Sequence, residues 1–346
     1  VSTPASDAPR SPLPPATATT AAESLASGDD RRTQGLTIGV DVGGTKVAAG
    51  VVDGAGTVLH AVRRPTPGHS APEVADTIAA VVAELTADYE VWAVGIGAAG
   101  WIDAERSRVV FAPNLAWRDE PLRDEVAARV GLPVVVENDA NAMAWAEYRF
   151  GAGRGRRDLV CLTVGTGIGG GLILGGELYR GAFGIGAEAG HMRVVPGGHP
   201  CGCGNEGCWE QYASGRALVR LARQIAADDP AAATAMLEAS GGDVDGLTGP
   251  DVTEAARKGD PAAIRCLMEV GHWLGEGMAS LAALLDPDRY VIGGGVSDAG
   301  DLLLAPARER FLEAVPGRGH RPVAEVVIAE LGSQAGLVGA ADLARI

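Results

Sequence analysis

Lysine is nearly absent from this chain: its 346 residues contain only Lys46 and Lys258. Lysine and arginine together number 29 against 44 aspartates and glutamates, for a formal net charge of −15. A surface this acidic argues against nucleic acid or an anionic membrane as the main partner. It leaves room for phosphate ligands, which backbone N–H groups can bind locally. Long apolar runs are missing too, and none reaches the ~20 residues of a membrane-spanning helix. The six tryptophans are scattered, without the pattern of a base-stacking surface. No stretch has the apolar core of a secretory signal, so a reducing, cytoplasmic setting is expected. Cysteine is sparse, five in all, yet three lie within eight positions.

Glycine is abundant, 50 of 346, about twice the ~7% of ordinary proteins. Much of the excess sits in loops. Residues 1–35 are rich in Ala, Ser, Thr and Pro and lack aromatics, so they read as a disordered tail. A cleaved targeting peptide fits poorly, because the stretch carries acids and little basic charge. From Leu36 onward β-branched runs predict buried strands at Leu36–Val42, Val47–Val52, Thr57–Val62, Val91–Ile96 and Pro133–Val136. Helical spacing marks Glu73–Leu85, Pro121–Val130, Ala142–Phe150 and Ala262–Leu285, with a final helix at Gly336–Ala344.

The pattern of strand, glycine turn, strand and hairpin at 36–56 recurs at Leu159–Val164, Gly165-Thr166-Gly167, Gly169–Leu174 and Gly175-Gly176. Laying Asp41 on Thr163 puts Gly43 on Gly165. One unit used twice predicts two α/β domains that each offer a glycine turn to a shared cleft.

Cys201, Cys203 and Cys208, with His191 upstream, have the composition of a structural zinc site. Cys201 and Cys203 are too close in sequence to bridge without strain, which weakens a disulfide reading. Unrelated buried thiols remain the plainer alternative. Glu188 and Glu210 flank the cluster and point to a polar pocket beside it. Trp209 sits between a cysteine and Glu210; packing alone would account for it. Cys161 and Cys266 lie in apolar patterns and read as buried hydrophobes.

Three glycine turns follow buried strands: Asp41-Val42-Gly43-Gly44-Thr45-Lys46, Gly165–Gly171 and Gly293–Gly295. Any one could be a tight hairpin. Together they offer N–H cradles for phosphate, and the first adds a carboxylate, a hydroxyl and a cation. None is a Walker A loop. Gly165, Gly167 and Gly170 are spaced like a dinucleotide fingerprint, but the segment that follows reads as a strand, which disfavours Rossmann binding. A last constellation is Glu137-Asn138-Asp139, where a buried strand runs into a helix. Asp139 could be a helix N-cap. Beside a phosphate cradle it could instead be the base that phosphoryl transfer to a hydroxyl requires.

These motifs together resemble the ROK family of repressors and sugar kinases, and within it the bacterial ATP-dependent glucokinases. The resemblance spans about Leu36 to Ile346. It implies a two-domain actin-like ATPase (ribonuclease H-like) α/β fold with a ligand cleft between the domains. Residues 36–137 would form the small domain, with helix 336–346 packing back on it, and 138–335 the large one. Asp139 would be the catalytic base on the 6-hydroxyl of glucose. Asn114, Asn138, Glu188, His191 and Glu210 would hold the other hydroxyls. Asp41, Gly43, Gly44, Thr45 and Lys46 would meet the phosphates of ATP and Mg²⁺, joined by Gly165, Thr166, Gly167, Gly169 and Gly170. Gly293, Gly294 and Gly295 would lie near the adenosine. His191, Cys201, Cys203 and Cys208 would bind structural Zn²⁺. The resemblance also implies a homodimer or homotetramer. Other substrates it allows are N-acetylhexosamine, mannose, fructose or kanosamine. A sugar-sensing regulator is the non-catalytic alternative, disfavoured by a short, Pro-rich and non-basic stretch before Leu36. Ala98-Ala99-Gly100 departs from the proline that many relatives carry before that glycine.

Overall fold

Two five-stranded sheets of the same topology organise the chain. In the first, β1 (Leu36–Val42), β2 (Lys46–Val52), β3 (Val58–Pro65), β4 (Val91–Ala98) and β8 (Val134–Asn138) stand in the order β3-β2-β1-β4-β8. In the second, β9 (Leu159–Val164), β10 (Ile168–Leu174), β11 (Glu177–Tyr179), β12 (Arg289–Gly293) and β13 (Glu325–Ile328) stand in the order β11-β10-β9-β12-β13. Each sheet opens with an antiparallel meander and then adds two parallel strands on the far side of its first strand. Asp41 pairs with Ala48 in the first sheet and Thr163 with Gly169 in the second, so the two hairpins match almost residue for residue. The structure, a computed structural model, describes residues 35–346 apart from 68–69, 113–114 and 116. The tail expected at the N-terminus thus lies almost wholly outside the described residues, as does Asn114.

Strands Leu36–Val42 and Leu159–Val164 have the bounds that the apolar runs predict. Each buries both faces, as an inner strand covered by helices must. A small third sheet, β5 (Trp101–Ile102), β6 (Val109–Phe111) and β7 (Arg118–Glu120), grows from the end of β4. Its strands are two or three residues long, too short to leave a periodic signal.

Nine helices surround the sheets among the described residues: α1 (Ala71–Thr86), α2 (Leu122–Val130), α3 (Asp139–Phe150), α4 (Gly215–Asp228), α5 (Thr234–Ala239), α6 (Gly249–Arg257), α7 (Pro261–Leu285), α8 (Asp301–Ala314) and α9 (Ala335–Leu343). One apolar cluster fills the space between the first sheet, α1 and α2. Another joins the second sheet to α4 and α6–α8. A third lies at the junction, where α3 and α9 pack together with Val52, Cys161 and Val291. Cys161 and Cys266 are 1% and 2% exposed, the buried hydrophobes expected.

Helix α3 starts at Asp139, three residues before the start expected from spacing. The polar residues Asp139 and Asn141 interrupt the apolar periodicity there, but capping by Asn138 sustains the turn. Its side chain accepts from Asn141 N–H at 3.0 Å. The N-cap is therefore Asn138 and not Asp139.

Helix α9 approaches the first sheet very closely. A Cβ on Gly95 would lie 1.8 Å from the Ala340 carbonyl oxygen, and one on Gly339 would lie 1.7 Å from that of Ala142. Only glycine permits this crossing of β4, α9 and α3. Thr37 donates to Ala341 O at 2.9 Å, and the Trp145 indole donates to the buried Asp342 carboxylate at 2.8 Å.

Candidate active site

Asp139 occupies the first turn of α3, at the carboxyl end of β8. Its Oδ1 accepts from Ala140 N–H at 2.9 Å. Burial raises its pKa to about 7, with the like charge of Asp41 as the next cause. Asp41 sits at the carboxyl end of β1 and is itself raised by burial, with Lys46 opposing. Glu188 is raised to about 7 by burial and then by Asp139 and Glu210, while hydrogen bonding from Trp101 lowers it. Asp41 thus acts on Asp139, and Asp139 and Glu210 act on Glu188. These carboxylates come from four separate segments. Such a group draws protons and cations, because two unneutralised carboxylates held close oppose each other's ionisation.

Asn138 has structural duties on both ends of its amide. Its Nδ2 donates to Gly100 O at 3.0 Å, tying the α3 turn to the end of β4. One further N–H and one lone pair stay open for a ligand.

The cysteine–histidine group converges as its composition predicts. His191, Cys201, Cys203 and Cys208 present ligand atoms that all lie within 4.8 Å of one another. His191 Nδ1 lies 3.6 Å from Cys201 Sγ, and Cys203 Sγ lies 3.6 Å from Cys208 Sγ. A tetrahedral zinc with Zn–S near ~2.3 Å and Zn–N near ~2.05 Å has S···N edges of about 3.6 Å and S···S edges of about 3.8 Å. The four residues therefore fit zinc, and four protein ligands leave no open position on it. None of the five cysteines is in a disulfide. Cys201 Sγ also lies 3.1 Å from Glu210 Oε1, so the metal set and the flanking carboxylate touch.

Trp209 is fully buried, and its indole donates to Trp273 O at 2.7 Å. It packs against Gly277 of α7 and so anchors the cysteine segment to the second core.

Two cavities meet beside these groups. The larger, of about 1220 Å³, lies between the Gly165 turn, the start of α4, the start of α6 and the Gly295 turn. The smaller, of about 120 Å³, is lined by Trp101, Phe111, Gly167, His191 and Glu210 among others. Thr166 and Arg216 border both. Of the candidate glycines, Gly165 and Gly295 line the larger cavity and Gly167 the smaller. Gly167 comes so close to Glu210 that a Cβ there would lie 2.2 Å from Oε2. Gly169 and Gly170 lie inside β10 and line neither cavity; Gly169 N–H bonds to Thr163 Oγ1 at 3.2 Å. Gly293 ends β12, and Gly294 carries the turn with φ +88°. The first turn closes with Gly43 N–H on Lys46 O at 3.0 Å, and Gly43, Gly44, Thr45 and Lys46 border neither cavity.

Sequence reasoning missed Trp101, Phe111, Arg216 and the α6 wall of the larger cavity, which includes Thr248 and Pro250. For Arg216 a signal existed. Ser214 caps α4 by accepting from Ala217 N–H at 3.4 Å, and Ser-Gly-Arg is a readable helix start at which anions bind. Trp101 and Phe111 carry no such signal, because their place depends on the small third sheet.

Paired α/β units with matching turns at their strand ends, a group of buried carboxylates at those ends, two adjoining cavities and a Cys₃His set define a sugar-kinase-like site, although Asp41, Asp139 and Glu188 themselves line neither cavity. The chain belongs to the ROK family, whose profile it matches over residues 37–346. It is 55% identical over 312 residues to a glucokinase of Streptomyces coelicolor, covering 90% of this chain and 98% of that one. A glucokinase of Thermotoga maritima is 39% identical over 310 residues, covering 89% of this chain and 96% of that one. Among solved structures, a ROK family glucokinase from Streptomyces griseus in complex with glucose and AMPPNP is 57% identical. It superposes with a TM-score of 0.84, covering 90% of this chain and 99% of that one.

Proposed function

We propose that this protein is a glucokinase that transfers the γ-phosphoryl group of ATP to the 6-hydroxyl of glucose. The observation that carries the reading is the position of Asp139. It lies within Coulomb range of Asp41 and of Glu188, and its pKa is raised to about 7. A carboxylate so tuned accepts a proton near neutral pH. In this reading Asp139 takes the proton of the sugar O6 as O6 bonds to the γ-phosphorus. The bond from that phosphorus to the bridging oxygen breaks, and ADP leaves. The S. griseus relative holds glucose with AMPPNP, in which an imide replaces the β–γ bridging oxygen of ATP.

The smaller cavity would take the sugar. Glu188, His191 and Glu210 supply the acceptors and donors that a ring of hydroxyls needs, and Asn138 adds its free N–H. Asn114 belongs to the same set as a proposal. The larger cavity would take the nucleotide, with Gly165, Thr166 and Gly295 against it. Asp41 and the turn from Gly43 to Lys46 would face the phosphates. Asp41 would hold Mg²⁺, and a buried carboxylate whose proton affinity is raised fits a cation. When bound, Mg²⁺ neutralises phosphate charge. His191 and the three cysteines would hold Zn²⁺, which fixes the ring that faces the sugar. Residues 36–137 with the last helix would form one side of the cleft, and 138–335 the other. The reduced thiols fit a cytoplasmic setting. No helix among the described residues is long and apolar enough to cross a membrane. A homodimer or homotetramer belongs to the same proposal, and sedimentation would decide it.

The test is a panel of glucose, mannose, fructose, N-acetylmannosamine and kanosamine with coupled detection of ADP. Glucose should give the highest kcat/KM. A higher value for any other sugar would replace glucose as the substrate.

A further inference from the structure

Glu137 precedes the catalytic pair and has no role in the chemistry above, yet it is 1% exposed. Its Oε1 accepts from Asn138 N–H at 3.0 Å and from Asn141 Nδ2 at 3.0 Å. Those two bonds bracket Asp139 and shape the turn that carries it. Its Oε2 accepts no hydrogen bond among the described residues. It faces two guanidinium groups instead: Arg106 Nε at 3.4 Å and Arg180 Nε at 3.8 Å.

The two arginines come from different parts of the molecule. Arg106 lies on the turn between β5 and β6, with φ +56°. Its carbonyl accepts from Val136 N–H at 3.1 Å, so this turn covers the edge of β8. Arg180 directly follows β11, in the second sheet. Its Nη1 also donates to Ala104 O at 3.3 Å. The loop that follows lies hard against the 102–104 turn, since a Cβ on Gly184 would be 2.4 Å from Ile102 O. The same loop then leads to Glu188 and to His191, which lines the smaller cavity.

We propose that the Glu137–Arg180 pair is a positioning latch for sugar binding, an inference that rests on the glucokinase reading. One buried carboxylate joins the turn bearing Asp139 to the segment bearing Glu188 and His191. A buried charge held by two arginines is costly to leave half-paired, so the two walls are held in one arrangement. The latch touches neither ligand and acts through Asp139 and Glu188.

The test uses the full chain with Arg180→Ala and Arg180→Lys. Arg180 is partly exposed, so both variants should fold. Arg180→Ala is expected to raise the KM for glucose about tenfold while the KM for ATP moves less than about twofold. Arg180→Lys should recover most of the loss, since it restores the charge. In a Glu137→Gln background the Arg180→Ala effect should largely vanish. Amide hydrogen exchange in the ligand-free protein should quicken at residues 139–141 and 181–191 together in Arg180→Ala. Unchanged exchange in both segments, or equal changes in both KM values, would overturn the latch. If the parent protein turns over another sugar faster than glucose, the glucokinase reading fails and the latch does not. The same constants are then measured with that sugar, and exchange judges the latch independently.

Discussion

The Nε2 of His191 faces Oε2 of Glu188 at 3.8 Å, one short turn apart. The opposite nitrogen of the ring points at Cys201. The imidazole therefore stands between the cysteine cluster and the Glu188 carboxylate, and whatever fixes one nitrogen orients the other. Zinc removal should consequently weaken glucose binding by about 10- to 100-fold and AMPPNP binding by less than about threefold. Calorimetric titration of the chelated, still folded protein checks this. Equal loss of both affinities would mean general unfolding instead.

Asp139→Asn should lower kcat by a factor of about 10² to 10⁴, because a neutral amide cannot take the hydroxyl proton. The fold should survive, since the α3 cap belongs to Asn138. Glucose affinity should change little. A variant that is folded and keeps most of its turnover would remove Asp139 from the role of base.

The pH dependence follows from the same carboxylate. The base form dominates only above its pKa of about 7. The kcat/KM for glucose should therefore fall as pH drops through 7, by about tenfold per unit once well below it. Asp41→Asn removes a like charge from its neighbourhood and should move this acid limb to lower pH, whatever it does to the maximum. A limb that stays in place would show that the two carboxylates do not feel each other.

Gly167→Ala places a methyl group into the space of the Glu210 carboxylate. The residue is not in the left-handed region, so the effect is on the side chain it meets and not on the turn. The KM for glucose should rise while the melting temperature stays nearly constant. An unchanged KM would mean that Glu210 can move aside without loss to the sugar.

Gly339→Ala drives a methyl group into the backbone of α3. Overpacking of this kind costs about 1–3 kcal/mol, and more where the clash is with backbone. For a chain of this size the melting temperature should fall by a few degrees, at roughly 1–2 °C per kcal/mol. Thermal unfolding without ligands measures it, and an unchanged midpoint would place α9 farther from α3.

Much of the site was legible because its signals are local. Asp139 stands at the junction of an apolar strand and a helix, and that boundary marks it. The three clustered cysteines fall within eight residues, so their convergence needs little help from the fold. Trp101 and Phe111 left no trace, because they reach the smaller cavity only once three very short strands pair. Glu137 was visible as one member of a motif, but its two arginines are 31 and 43 residues away in sequence, and spacing carries no information about them.

By itself the sequence determined the strand-and-turn repeat, the zinc-type ligand set and the strand-to-helix junction at Asp139, though it put the helix start three residues late. Those depend on hydrophobic period, turn chemistry and close spacing, which act over a few residues. The tertiary structure decided how the carboxylates at 41, 139, 188 and 210 influence one another. It also decided that the cap is Asn138, and that a buried glutamate ties the two walls together. Burial and Coulomb interaction depend on distance in space, and only the packed junction of α3, α9 and the two sheets sets those distances.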